Sequence, residues 1–196
     1  MLVAFVRKNG EISRVVTERI LLITEVADRF QIFGSLLEAV PHGSGHINDT
    51  YACTFSVAGT RVRYILQRIN RRVFPDVGAL MGNIGRVTAG LHRRLGESGV
   101  ADASRRALTV VPSREGRPWV EDAAGDCWRC YLFIEGARTY DTVDNPRHAF
   151  EAAAAFGRFQ VMLADLEGPR LHETIPHFHH TREHHLEPPE SRGCFE

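Results

Sequence analysis

Lysine is almost missing from this chain: Lys8 is the one lysine among 196 residues, and arginine supplies every other fixed positive charge. A phosphate contact would therefore have to come from arginine, histidine or a backbone amide. Net charge is lacking as well. Lys plus Arg and Asp plus Glu each total 24, a formal charge of zero, which leaves no electrostatic case for a nucleic-acid or membrane-surface partner. No stretch approaches the roughly 18 apolar residues of a membrane span. The opening "MLVAFV" has neither a basic leader nor a small-residue cleavage site, so the chain reads as soluble and cytoplasmic. Cysteine is sparse. Four cysteines without regular spacing point to reduced thiols, not a disulfide framework. What is abundant is apolar content, 43%, enough for the core of one ordinary domain or two small lobes.

Periodicity divides the chain. Residues 1–18 alternate weakly around "KNGE" and read as a hairpin or a loosely attached leader. In "ILLITEVADRFQIF", Ile20 to Phe33, apolar residues recur at helical spacing, and Gly34 is the natural stop. Three strands joined by short turns follow, "SLLEAV", "DTYACTFSV" and "RVRYILQRI", an antiparallel meander. Val77, Leu80, Met81, Ile84, Val87, Leu91 and Leu95 then mark a helix, with Pro75 in its first turn and Gly78, Gly82, Gly85 and Gly90 each weakening it by about 1 kcal/mol. Strands return in "ALTVVPS", "PWVED" and "CWRCYLFIEG", the last apolar on both faces near its end. "NPRHAFEAAAAFGRFQVMLADL" is the most helical segment, with Asn145 as its cap and Pro146 at its first position. From Leu171 the text becomes histidine-rich, then polar and proline-bearing. The fold class is α+β.

Several constellations could carry chemistry. In "HGSGHIND", two glycines between antiparallel strands let successive backbone N–H groups face one concavity, where a polyphosphate could approach. A Walker-type loop would need a following lysine and helix, and neither is present. The competing reading is an ordinary glycine turn. On the third strand, Gln67 and Arg68 point to opposite faces, so one of them can face a nucleotide; Arg68 is the charged choice, against the alternative of a solvated edge charge. A phosphate-anchoring cation on that strand also wants a carboxylate on the next helix. Between Val77 and Gly96 there is none, which leaves Asp76 or Glu97 at the helix ends or no ion pair at all. Cys127 and Cys130 form C-x-x-C, but no second pair exists and a strand sends the two sulfurs to opposite faces, as one core and one surface thiol. The histidines at 172, 177, 179, 180, 184 and 185 suggest adventitious divalent-metal binding more than a zinc site, because "HHTREHH" is not H-E-x-x-H.

Taken in order, "GSGHINDTY", "YILQRIN", "FPDVGALMGNIGRVTAGL", "CWRCYLFIEG", "FGRFQVMLADL" and "ETIPHFHHT" resemble the first half of the small-molecule kinases of the aminoglycoside phosphotransferase and choline kinase superfamily, and within it the N-acetylhexosamine 1-kinase-like branch. The resemblance spans residues 20 to 182. It implies a leader over 1–19 and a kinase-like N-lobe over 20–135, an antiparallel sheet with a packed helix, a nucleotide loop and a hinge. It also implies a partial helical C-lobe over 136–182 and an irregular tail over 183–196. By position, Gly43, Ser44, Gly45, His46 and Asn48 would line the phosphates of ATP, Gln67 or Arg68 would anchor them, and Phe133, Ile134 and Glu135 would frame the base.

The resemblance also implies a departure. Such kinases carry a His-x-Asp-type loop whose Asp orients the acceptor hydroxyl and whose Asn helps hold magnesium, followed by a second metal-binding Asp. Beyond Leu166 neither is found, so the Mg ligands are expected outside this sequence. The expectation is a truncated ATP-dependent sugar or small-molecule phosphotransferase that does not turn over alone, or else a non-catalytic nucleotide-binding or interaction module. An uncovered apolar face on the helix around Ala152 to Leu163 would then favour self-association.

Overall fold

A computed structural model describes residues 14–140, 142–143, 145–176 and 178, with side chains from residue 19 onward. Helix α1, Arg14–Asp28, buries Ile23, Val26 and Ala27, and the stripe continues to Phe30 just past its end. The helix stops before Phe33 because the next residues have sheet partners. Phe30 bridges Ser113, the Gln31 amide donates to the Pro112 carbonyl at 2.9 Å, and the Gln31 side chain donates to the Ser113 carbonyl at 3.0 Å. Gly34 is therefore not a helix stop. Its φ of +95° lets the chain lie directly on the backbone of Ser56 as it enters the sheet.

Strands β1 (Ser35–Pro41), β2 (Asp49–Val57) and β3 (Thr60–Arg68) form the expected meander. Ala58 and Gly59, both at positive φ, make the two-residue turn whose twist matches the flanking strands. Helices α2 (Val77–Glu97) and α3 (Ala103–Arg106) precede the short β4 (Val110–Val111) and β5 (Val120–Glu121), and β6 (Cys127–Leu132) follows. All pairings are antiparallel, in the order β1-β2-β3-β6-β4, with β5 also on β6. The α+β class read from periodicity is the class observed.

Alternation along the strands builds two cores. Cys53, Phe55, Leu66, Trp128 and Cys130 pack with Ile23, Val26 and Phe30 on the α1 face. Ile69 and Cys127 pack with Val77, Leu80 and Met81 on the α2 face. At the start of α2 the Asp76 carboxylate accepts from the Ala79 amide at 2.8 Å, so Asp76 is the cap and Pro75 precedes the helix.

Helix α4, Pro146–Leu163, begins as expected, with the Asn145 side chain accepting from the Arg147 amide at 2.9 Å and Pro146 in the first turn. Met162 and Leu163 join Leu91, Leu95 and Ala107 in a third cluster. No residue of α4 is itself buried, and Phe150, Phe156 and Val161 are 63–74% exposed. Among the described residues no helix is long and apolar enough to cross a membrane. The expected tail, 183–196, and residues 1–13 of the expected leader lie outside the described residues; α1 takes up the rest of the leader.

A Cβ built on Gly34 would sit 2.0 Å from the Ser56 carbonyl oxygen, whereas one on Gly82, inside α2, would meet nothing within 4 Å. Gly34→Ala is expected to lower stability by at least about 2 kcal/mol and Gly82→Ala to raise it by about 0.5–1 kcal/mol. Urea unfolding midpoints of the two variants check both signs.

Candidate functional site

The glycine bend, residues 42–48, joins β1 to β2. Its mouth is closed by the His42 amide donating to the Thr50 carbonyl at 2.9 Å, and its far end is braced by the Asn48 side chain, which accepts from the Asn70 amide at 2.8 Å. Gly43 has φ +83°, and open space surrounds Gly43 and Gly45 where side chains would stand. Ser44 and His46 are exposed between and beside them. Two hollows border the bend. One, of about 230 Å³, is lined by Arg19, His42, Gly43, Gly45, Asn48 and Thr50 among others. The larger, of about 510 Å³, is lined by His46, Asp49, Arg68, Arg71, Arg72 and Asp126, among others. Phe133, Ile134 and Glu135 border neither hollow.

Alternation separates the two candidate anchors on β3. Arg68 has the parity of Leu66, hence the α1 face, and it is claimed by two carboxylates: its Nε donates to Asp49 at 2.8 Å and its Nη1 to Asp126 at 2.8 Å. Those partners hold its pKa above the ordinary guanidinium value. Gln67 has the parity of Ile69, the α2 face. It lies in a cross-strand row with Thr50 on β2 and Arg129 on β6. Its amide donates to the Thr50 hydroxyl at 2.7 Å, and its Oε1 accepts from Arg129 Nε at 2.9 Å and Nη2 at 2.6 Å.

Arg129 is the residue the sequence reading missed. It is half-buried, its ring neighbour Tyr131 lies 5.3 Å from the guanidinium, and no carboxylate pairs with it among the described residues. Desolvation pulls its pKa down. A signal was present: an arginine inside "CWRCYLFI", a run apolar on both faces, is a charge placed where charges are rarely buried without purpose. The helix-end carboxylates do not serve it. Asp76 is taken up in capping α2, Glu97 stands at the opposite end of α2, and neither pairs with Arg68 or Arg129.

Further along the same face, the Phe133 amide donates to the Arg63 carbonyl at 3.1 Å. The Arg63 guanidinium lies over the Phe133 ring, 3.9 Å from its centroid, and donates to Glu135 through Nε at 2.8 Å and through Nη2. That hydrogen bond holds the Glu135 carboxyl below its ordinary range. His42, at the root of the bend, meets Phe133 edge-on with ring centroids 5.4 Å apart. Ile134 is half-buried beside them. The face thus carries an aromatic and cation cluster toward Phe133 and a hydrogen-bonded arginine at the foot of the bend.

Cys127 and Cys130 do project to opposite faces, but both are core: they are 2% and 0% exposed, in different clusters. The expected surface thiol is absent from this pair because helices cover β6 on both sides. Among the described residues no group of His, Cys, Asp and Glu could hold a metal ion. Of the histidine tract, His172 is described, its backbone clasped by the Asn83 side chain in two hydrogen bonds of 2.7 and 2.9 Å; the other five histidines lie outside the described residues. No protein-family model matches this chain.

Burial pushes the Cys53 thiol up to about 12 and raises Cys127 and Cys130 as well. At pH 8 the Cys53 thiolate would be about one part in ten thousand. A thiol reagent at pH 8 is therefore expected to leave Cys53, Cys127 and Cys130 unlabelled in the native protein and to label them in denaturant, as read by peptide mass. Rapid native labelling of the 127–130 pair would count against their core placement.

Proposed function

We propose that this chain carries the nucleotide-binding part of an ATP-dependent small-molecule phosphotransferase, with a sugar such as an N-acetylhexosamine as the acceptor class. The observation that carries the reading is the layout of the α2 face. The glycine bend stands over it, its own first residue, His42, meets the Phe133 ring that Arg63 also covers, and the hydrogen-bonded row of Thr50, Gln67 and Arg129 lies at its foot. A purine would stack at Phe133, where Arg63 and His42 already provide cation–π and edge contacts. The triphosphate would run toward the amides of the bend. On this layout Gln67, sharing the face of Phe133, is better placed than Arg68, whose charge is balanced on the opposite face.

Magnesium chemistry would be supplied by residues beyond those described, since no carboxylate cluster for it exists among them. The chain's own contribution is to bind and orient the nucleotide, and transfer by these residues alone is not expected. One observation favours the second reading, a non-catalytic nucleotide module: α2 offers no carboxylate between Val77 and Gly96 for the ion pair that organises kinase phosphate sites.

Thermal shift with ATP, ADP and adenosine, each with and without magnesium, tests the binding. A ligand at about 100 times its Kd is expected to stabilise the protein by about 2.7 kcal/mol. Phe133→Ala should weaken all three ligands by about tenfold through lost stacking. No shift with any nucleotide removes both readings.

The exposed Phe150, Phe156 and Val161 on α4 carry a separate expectation. The isolated chain should self-associate as its concentration rises. Light scattering should show this, with Phe150→Glu/Phe156→Glu reducing it; a strictly monomeric protein at high concentration would contradict it.

A further inference from the structure

We propose that Arg129 is the phosphate-binding cation of this protein, a guanidinium presented from β6 at the foot of the bend, where β3 places the neutral Gln67. The inference rests on the nucleotide reading above and names the residue on which that reading turns.

Of the arginines on the central strands, Arg68 is held by Asp49 and Asp126, Arg63 is held by Glu135, and Arg61, at the far end of β3, is exposed to water and needs no partner. Arg129 has no carboxylate among the described residues. A half-buried guanidinium left uncompensated costs several kcal/mol in desolvation, and folded proteins normally offset that with a paired anion. Here α2 packs on the same face with no Asp or Glu from Val77 to Gly96. The neutral Gln67 oxygen accepts two of the fork's N–H groups. A glutamine acceptor orients a guanidinium without neutralising it, so the charge is kept for something else.

Connectivity points the same way. Gln67 is gripped from its other side by the Thr50 hydroxyl, and the Thr50 carbonyl closes the mouth of the glycine bend through the His42 amide. Arg129 is thereby linked, through two hydrogen-bonded side chains, to the amides that would meet the same polyphosphate. Tyr131 covers the guanidinium at 5.3 Å. Among the described residues, Nη1 and the second hydrogen of Nη2 have no acceptor and remain to donate, a fork geometry that suits phosphate oxygens. Lysine could not reproduce it, and the chain has none beyond Lys8.

The test is calorimetric titration of ATP, adenosine and tripolyphosphate into the full chain and into Arg129→Met and Arg129→Lys. Expected are a loss of about tenfold or more in ATP affinity for Arg129→Met and adenosine affinity unchanged within about twofold. The ligand-free melting temperature of Arg129→Met should be equal to or above that of the parent, because an uncompensated cation has been removed. Arg129→Lys should fall between the two, and it carries the ATP-against-adenosine comparison should Arg129→Met not fold. Unchanged ATP affinity in Arg129→Met overturns the proposal. So does an equal loss of ATP and adenosine with a lowered melting temperature, which would mark Arg129 as a structural brace. If the parent binds no nucleotide, the reading under Proposed function fails. Tripolyphosphate then decides this one: binding lost in Arg129→Met upholds an anion site at Arg129, and no binding overturns it.

Discussion

Strand β6 is packed along its α1 face and, at Cys127, on its α2 face as well, and the rest of the domain is arranged around that constraint. Cys127 belongs to the α2 core, Trp128 and Cys130 belong to the α1 core, and β3, β4 and β5 all pair with this one strand. The turn that delivers the chain into it is fixed by a buried carboxylate. Asp122 accepts from the Trp128 indole at 2.8 Å and from the amides of Ala124 and Asp126 at 2.9 Å each. A buried acid satisfied in this way is stabilising only while all its donors are present, so the β5–β6 turn and the Trp128 side chain stand or fall together. The same turn sets Asp126 against Arg68.

That geometry governs the allocation of charge. With arginine as nearly the sole fixed cation, the guanidinium groups differ in how far carboxylates already neutralise them. Arg68 has two acids and Arg63 has one, and both pairs are partly exposed, where ion pairs add little to stability. Their role is positional: Arg68 ties β2 to the β5–β6 turn, and Arg63 ties β3 to the segment after β6. Arg129 differs in kind, since its partners are an amide and a ring.

The segment after α4 is attached to α2 mainly by side chains reaching backbone. Arg86 donates to the Glu167 carbonyl at 2.7 Å, Asn83 holds His172, and Arg94 pairs with Asp165. Apolar burial there is limited to the Leu91, Leu95 and Ala107 cluster with Met162 and Leu163. Regions held by few buried contacts open at lower free energy than the core around β6. The sheet and α1 hold the largest buried cluster, while α4 contributes only partly buried residues to the smaller third one.

Much of this was legible in the order of residues. The spans of β2 and α4, the Asn145 cap and the two-sided burial of β6 follow from local periodicity and side-chain chemistry, which act over a few residues and are written consecutively. Other features required distant segments to meet. Asp76 became a cap and Arg68 gained two acids, while Phe30 and Gln31 left the helix for the sheet because Pro112 and Ser113 lay alongside. The bend was readable as a bend, and Gln67 and Arg68 as alternatives on opposite faces. Which face holds Phe133, and that Arg129 joins Gln67 there, was decided by register between β3 and β6. Register is a long-range property: it pairs residues 60 to 68 positions apart, and no local pattern encodes it.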